Sequence, residues 1–220
     1  NAHLNALSGG SKVYTSLKIF DSSFLDESSG DGVVKNKIIV IGYKTFTLSS
    51  STIYFTNGFL QTAFMTIRNV HMFHAVNFSI NSIPSDSIQS TVSKVIFISK
   101  VNNVLISHSN IQHINASVVH IKQSRNILII KSMFLQISAE VFSALHISGL
   151  ASQKMTKIIL IDNTFIKCSS VLNAGAITIF YNFDTYIDGR NISEISLDIQ
   201  IVRNIFDQCS SEQKGGAVPF

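Results

Sequence analysis

Two cysteines stand in near-identical surroundings. Cys168 falls in Asn163-Thr164-Phe165-Ile166-Lys167-Cys168-Ser169-Ser170, and Cys209 in Asn204-Ile205-Phe206-Asp207-Gln208-Cys209-Ser210-Ser211. If the two segments stack as successive turns of a repeat, their Cα atoms lie about 5 Å apart, within the span of a disulfide. A disulfide would suit an oxidising, secreted setting. The competing reading is a stack of inward thiols packing as small apolar groups. Parallel turns point their side chains the same way, which gives poor S–S geometry.

Other residues could also do chemistry. His120 and His146 occupy matching places in two similar segments, and two imidazoles could share a metal ion. No Asp, Glu or Cys converges on them, so ordinary exposed histidines are expected, as for His71 and His74. Asp162 is the only acid inside a well-defined strand segment, with Arg203 at the equivalent place one repeat later. Polysaccharide-cleaving enzymes need clustered carboxylates, or acids with Lys or Arg around bound calcium. The 13 Asp and Glu are dispersed, so neither a catalytic residue, a metal nor a cofactor is expected. Lys131, Asp162 and Arg203 form a series of alternating charge, read either as a ligand-binding stripe or as pairing along a solvated edge. The N-x-[S/T] sequons at Asn77, Asn115 and Asn191 are candidate N-glycosylation sites, although a Ser/Thr-rich chain also produces sequons by chance.

The elements that must position these residues follow from composition and phase. The chain has 220 residues, 45% hydrophobic and 14% charged, with no Trp and two Pro. That excludes disorder and a Pro-rich fibre and suits one domain or segment spanning residues 1–220. The net charge of +4 is scattered, without the basic clusters of a nucleic-acid binder. No apolar run approaches the ~18 residues of a membrane helix, so neither nucleic-acid binding nor membrane insertion is expected. Short β-branched runs bounded by Ser, Asn, Asp and Gly read as strands.

Aligning those runs reveals a repeat. Apolar anchors fall at Ile19, Ile67, Ile106, Ile129, Leu160 and Ile201. Two residues before them stand Leu17, Met65, Val104, Ile127, Ile158 and Ile199. Five after come Phe24, Met72, Ile111, Phe134, Phe165 and Phe206; eight after come Glu27, Ala75, Ile114, Ile137, Cys168 and Cys209. Two after the anchors, Asp21, Asn69, His108, Lys131, Asp162 and Arg203 should point outward. A further strand is expected after each turn, at 118–121, 144–147 and 176–179. Residues 30–64 fit this register poorly and should hold one further turn.

The pattern predicts an all-β chain: a right-handed parallel β-helix of about six to eight turns, with insertions near 78–94, 148–157 and 180–196. An antiparallel β-sandwich is the alternative, but it does not explain the recurring N-x-F-x-x-C-S-S phase. Phe134, Phe165 and Phe206 should form an aromatic stack, and Asn163 and Asn204 a short amide ladder.

Beside the anchors, Leu105, Leu128, Ile130, Ile159, Ile161 and Val202 make an outward apolar stripe. A solvated face would carry polar residues there, so a cover is expected, either an insertion of this chain or a neighbouring subunit. The segments 8–14 and 214–220 share one repeat phase, and neither reads as a polar cap. With no Met at position 1 and no signal-peptide pattern, the chain is expected to be a processed product or a segment of something longer.

The pairing of the Cys168 segment with Ala174-Gly175-Ala176-Ile177, nearly repeated at 204–218, resembles the right-handed β-helix repeats of polymorphic-outer-membrane-protein-like surface proteins, as in large secreted proteins of protists. That family's G-G-A-[I/L/V] turn is matched fully at Gly215-Gly216-Ala217-Val218, and its F-x-x-N is replaced by F-x-x-C. The resemblance is clear over 158–220. It implies an extracellular or cell-surface structural or adhesive role and supplies no catalytic residues. Expected partners are further copies or neighbouring segments of the same large protein, and glycans. The alternatives are a carbohydrate-active enzyme or a glycan-binding module, but Tyr14, Tyr43, Tyr54, Tyr181 and Tyr186 show no regular array.

Overall fold

A computed structural model describes residues 2–5, 16–25, 38–56, 63–83, 94–149, 155–180 and 196–213. Its strands recur in threes along the chain. The first three are β1 (Ala2–Asn5), β2 (Ser16–Phe20) and β3 (Ser23–Leu25). They are followed by β4 (Ile38–Ile41), β5 (Thr45–Ser49) and β6 (Thr52–Thr56), then by β7 (Met65–Arg68), β8 (Met72–Val76) and β9 (Ser79–Ile83). Next are β10 (Ile96–Ser99), β11 (Asn103–Ser107) and β12 (Asn110–Ile114), and then β13 (Val119–Lys122), β14 (Asn126–Ile130) and β15 (Met133–Ala139). The last two groups each add a short fourth strand: β16 (Leu145–Ser148), β17 (Met155–Ile161), β18 (Thr164–Ile166) and β19 (Ser169–Ser170); then β20 (Ile177–Phe180), β21 (Ser196–Val202), β22 (Ile205–Asp207) and β23 (Ser210–Ser211).

Three sheets collect them. The first takes β1, β4, β7, β10, β13, β16 and β20. The second takes β2, β5, β8, β11, β14, β17 and β21. The third takes β3, β6, β9, β12, β15, β18 and β22, with β19 and β23 extending it. Among the described residues every pairing is parallel and there is no helix. The antiparallel sandwich is thereby excluded, and the arrangement is consistent with a parallel β-solenoid.

Parallel stacking in register puts like above like. In the second sheet one inward column runs Ile19, Leu48, Ala75, Ile106, Ile129, Leu160 and Ile201. This corrects the sequence register at one place. Ile67 is not in that column; it belongs to β7 of the first sheet, between Val40 and Ile98. The position is held by Ala75, whose single methyl gave no apolar signal. The +5 place falls accordingly to Ile80 and not to Met72, and the outward corner to Asn77 and not to Asn69. Residues 38–56, poorly phased in the sequence, hold β4, β5 and β6, with Leu48 in the anchor column.

The expected aromatic stack is present. Phe134 and Phe165 lie 4.6 Å apart at 7°, and Phe165 and Phe206 5.2 Å apart at 10°. A second stack, Phe46 on Phe73 at 5.4 Å, lies under the second sheet. Burial of each ring contributes roughly 1.5–3 kcal/mol. The strands expected at 118–121, 144–147 and 176–179 are β13, β16 and β20 of the first sheet. Of the expected insertions, 84–93, 150–154 and 181–195 lie outside the described residues. Ser79–Ile83, within the first of them, is instead strand β9, paired with β6 and β12.

The corners explain how the chain turns. Between the second and third sheets one residue per turn takes the left-handed conformation: Asp21, Ser50, Asn77, His108, Lys131, Asp162 and Arg203, with φ of 45, 48, 51, 51, 48, 55 and 50°. None is β-branched, because a branched Cβ makes that conformation costly. The residue after each turns inward. Six of those seven places hold Ser22, Ser51, Ser109, Ser132, Asn163 and Asn204, and Phe78 fills the seventh. The polar side chains cap the main chain across the stack. Ser132 Oγ accepts from Ser109 N–H at 3.2 Å, Asn163 Oδ1 from Ser132 N–H at 3.0 Å, and Asn204 Oδ1 from Asn163 N–H at 2.9 Å. Asn163 Nδ2 donates to the Ile129 carbonyl at 2.8 Å. The amide ladder is thus a corner device that satisfies buried backbone.

Candidate functional site

The two cysteines occupy the same structural role at another corner. Each follows a left-handed residue, Lys167 or Gln208, and turns inward above Ile137 and Ile114. Cys168 Sγ lies 3.6 Å from the Phe134 carbonyl, and Cys209 Sγ 3.4 Å from the Phe165 carbonyl. Both are free; Cys168 is buried and Cys209 half-buried. The Cys209 thiol, hydrogen-bonded by that of Cys168, is brought down to about 7. The same contact, with burial, pushes Cys168 up.

Beyond the corner column the charges pair. Arg203 donates Nε–H to Asp162 Oδ1 at 2.7 Å and a second N–H to Oδ2 at 2.9 Å. That fork occupies both carboxylate oxygens and holds the Asp162 carboxyl below the usual range. An open hollow of about 410 Å³ runs along this corner, lined by His108, Asn110, Lys131, Asp162 and Thr164 among others.

His120 and His146 depart from expectation. They share an outward column of the first sheet with Phe97 and Thr178, yet each is only 6% exposed. Phe97, Phe142 and Lys94 cover them: the two imidazoles lie 4.6 Å apart, and Phe142 packs 5.0 Å from one and 4.7 Å from the other. His120 Nε2 meets Ser148 Oγ at 3.0 Å, while Nδ1 of both rings is buried without a hydrogen-bond partner. Burial, with the positive charges nearby, drives His120 down to about 3 and His146 to about 4. Among the described residues no group of three or more His, Cys, Asp or Glu is placed to hold a metal ion.

The apolar stripe occupies two adjacent outward columns of the second sheet. Leu105, Leu128 and Ile159 form one; Ile130, Ile161 and Val202 form the other. The first five are half-buried and Val202 is 38% exposed. The stripe leads to Ile205, 59% exposed, at the edge formed by β21 and β22. Along that edge the core is partly open: Ile199, Ile201, Phe206 and Cys209 are half-buried, whereas Ile158, Leu160, Phe165 and Cys168 beneath them are fully covered.

Of the sequons, Asn77 sits exposed at a left-handed corner and Asn115 is exposed after β12; Asn191 lies outside the described residues. Sequence reasoning missed one polar cluster altogether. Arg68, Lys100 and Lys122 gather beside Phe97 around a groove of about 310 Å³ on the first sheet. They lie far apart along the chain, and only the stacking register brings them together. No protein-family model, curated protein or solved structure matches the chain.

Proposed function

We propose that the chain is a non-catalytic structural or adhesive part of a right-handed parallel β-helix, seven turns of it among the described residues, acting at the cell surface or outside the cell and growing by strand addition. The observation that carries this reading is the open edge at β21 and β22. The inward columns there continue the core in register, yet Ile199, Ile201, Phe206 and Cys209 are only half-buried. Parallel strands laid on that edge would complete the same columns and bury them. The repeat's resemblance to surface-protein β-helices points the same way. That edge takes a further turn of the same repeat, from a neighbouring segment of the same large protein or from a further copy stacked head to tail; non-closing contacts between copies build filaments. The apolar stripe runs into this edge at Val202 and serves as the lateral contact between copies.

Electron microscopy of the purified chain, with light scattering, tests this. Concentration-dependent filaments with an axial strand repeat near ~4.8 Å are expected. Ile205→Lys, at the exposed edge, should abolish them while leaving circular dichroism unchanged. Monomers at every concentration, or filaments indifferent to Ile205→Lys, would overturn the stacking proposal. Glycan mass at Asn77 or Asn115 of chain secreted from a eukaryotic host tests its competence for the secretory route.

A further inference from the structure

The groove on the first sheet is built as a grid. β7, β10 and β13 place Arg68, Ser99 and Lys122 in one outward column. The residue after each, Asn69, Lys100 and Gln123, forms the adjoining left-handed corner, with φ of 52, 55 and 52°. These six and Phe97 line the groove. Ser99 is short and buried, so it forms a floor, while Arg68 and Lys122 stand exposed on either side. At strand spacing their backbones are about 10 Å apart. Backbone donors at the corner are already used: the N–H groups of Asn69, Lys100 and Gln123 donate to Ser99, Lys122 and Ser148 carbonyls. The side chains are left to face the groove.

The charge there is one-sided. Lys94 Nζ lies 4.7 Å from the centre of the Phe97 ring and the Arg68 guanidinium 5.4 Å from it, so the ring gathers two cations. Among the described residues no carboxylate pairs with Arg68, Lys94, Lys100 or Lys122; the ion pairs found there lie elsewhere, at Lys157–Asp198 and Arg203–Asp162. Burial, Lys122 and Arg68 all lower Lys94. Four cations gathered with no counter-charge among the described residues attract an anion from solution.

The grid is also bounded. One strand earlier the equivalent places are Ile41 and Gly42; one strand later they are Ser148 and Gly149. A long polyanion would need the charge to continue along the stack. Three strands of it suit one compact group. A guanidinium fork, two ammonium groups, a hydroxyl floor and two amides supply donors from several directions, which matches a tetrahedral oxyanion.

We propose that this groove binds a single tetrahedral oxyanion, a sulfate or phosphate group, over Ser99 between Arg68, Lys100 and Lys122. The group is either free or carried on a sugar. Isothermal titration and amide NMR at low ionic strength, with inorganic sulfate, inorganic phosphate, glucose 6-sulfate and glucose 6-phosphate, test it. Saturable binding is expected, with shifts centred on residues 68, 99, 100 and 122. Arg68→Gln with Lys122→Gln should weaken it about tenfold or more. Should that pair disturb folding, Lys100→Gln gives the same readout, since glutamine already holds the equivalent corner at Gln123. Tighter binding of the sugar esters than of the inorganic ions identifies a sugar-borne group; equal binding identifies a free anion. Absence of saturation with all four probes, or unchanged binding in the variants, would overturn the proposal.

Discussion

Arg203 clamps Asp162 through two parallel hydrogen bonds, of 2.7 and 2.9 Å, and both residues sit at left-handed corners of adjacent turns. The fork joins neighbouring strands on an exposed edge, where solvent screens it. Asp162→Asn should therefore leave the denaturation midpoint nearly unchanged at physiological salt, with a loss appearing only at low salt. The Asp162 carboxyl is lowered by Arg203, so the contribution is present above the ordinary carboxylate range and is lost as pH falls through the lowered value. A large loss at high salt would show that the clamp is structural.

Gly175 should tolerate no side chain. A Cβ there would overlap the carbonyl oxygens of Cys168, at its corner, and of Ser210, in β23, both main-chain atoms held by the stack that cannot swing aside. Its own carbonyl accepts from Ala144 N–H at 3.1 Å, which ties it to the strand below. Gly175→Ala should cost about 3 kcal/mol or more in urea unfolding. Gly149→Ala, facing side chains but at φ 67°, should cost about 1 kcal/mol.

Acid should destabilise the protein through His120 and His146. Both are lowered, to about 3 and about 4, first by burial. In the unfolded chain they protonate near 6.5, so below that value the unfolded state binds more protons and folding stability falls. The window runs from about pH 6.5 down to about pH 3, with a loss on the order of 3 kcal/mol per histidine at its end. Chemical unfolding across that range checks it. His120→Phe should flatten the dependence, since a phenyl ring fits among Phe97, Phe142 and His146 without a buried nitrogen to protonate.

Alkylation should separate the two thiols. Cys209 is half-buried and brought down to about 7, whereas Cys168 is buried and raised. Iodoacetamide at pH 7.5 should modify Cys209 first, and Cys209→Ser should leave Cys168 unreactive until the protein unfolds. Mass spectrometry of the digest reads both. Equal rates at the two sites would mean that the corner opens at Cys168 as readily as at Cys209.

Much of this architecture was legible in the residues themselves. A parallel stack repeats one environment at every turn, so Phe134, Phe165 and Phe206, or Asn163 and Asn204, record their shared column directly in sequence. The phase failed where one residue was small: Ala75 in an isoleucine column sent the alignment to Ile67, a strand away. Lys131, Asp162 and Arg203, expected only to point outward, stand at left-handed corners, where the backbone excludes β-branched residues and leaves polar ones.

The sequence by itself determined the strand type, the repeat, the aromatic stack and the cysteine column, since each rests on local propensity and on the phase of one segment against the next. The tertiary structure decided what covers what. Only packing against Phe97, Phe142 and Lys94 turned two outward histidines into buried neutral ones. Only the register between β7, β10 and β13 brought Arg68, Lys100 and Lys122 to one groove. Burial and charge convergence are sums over neighbours from distant turns, and no single segment carries them.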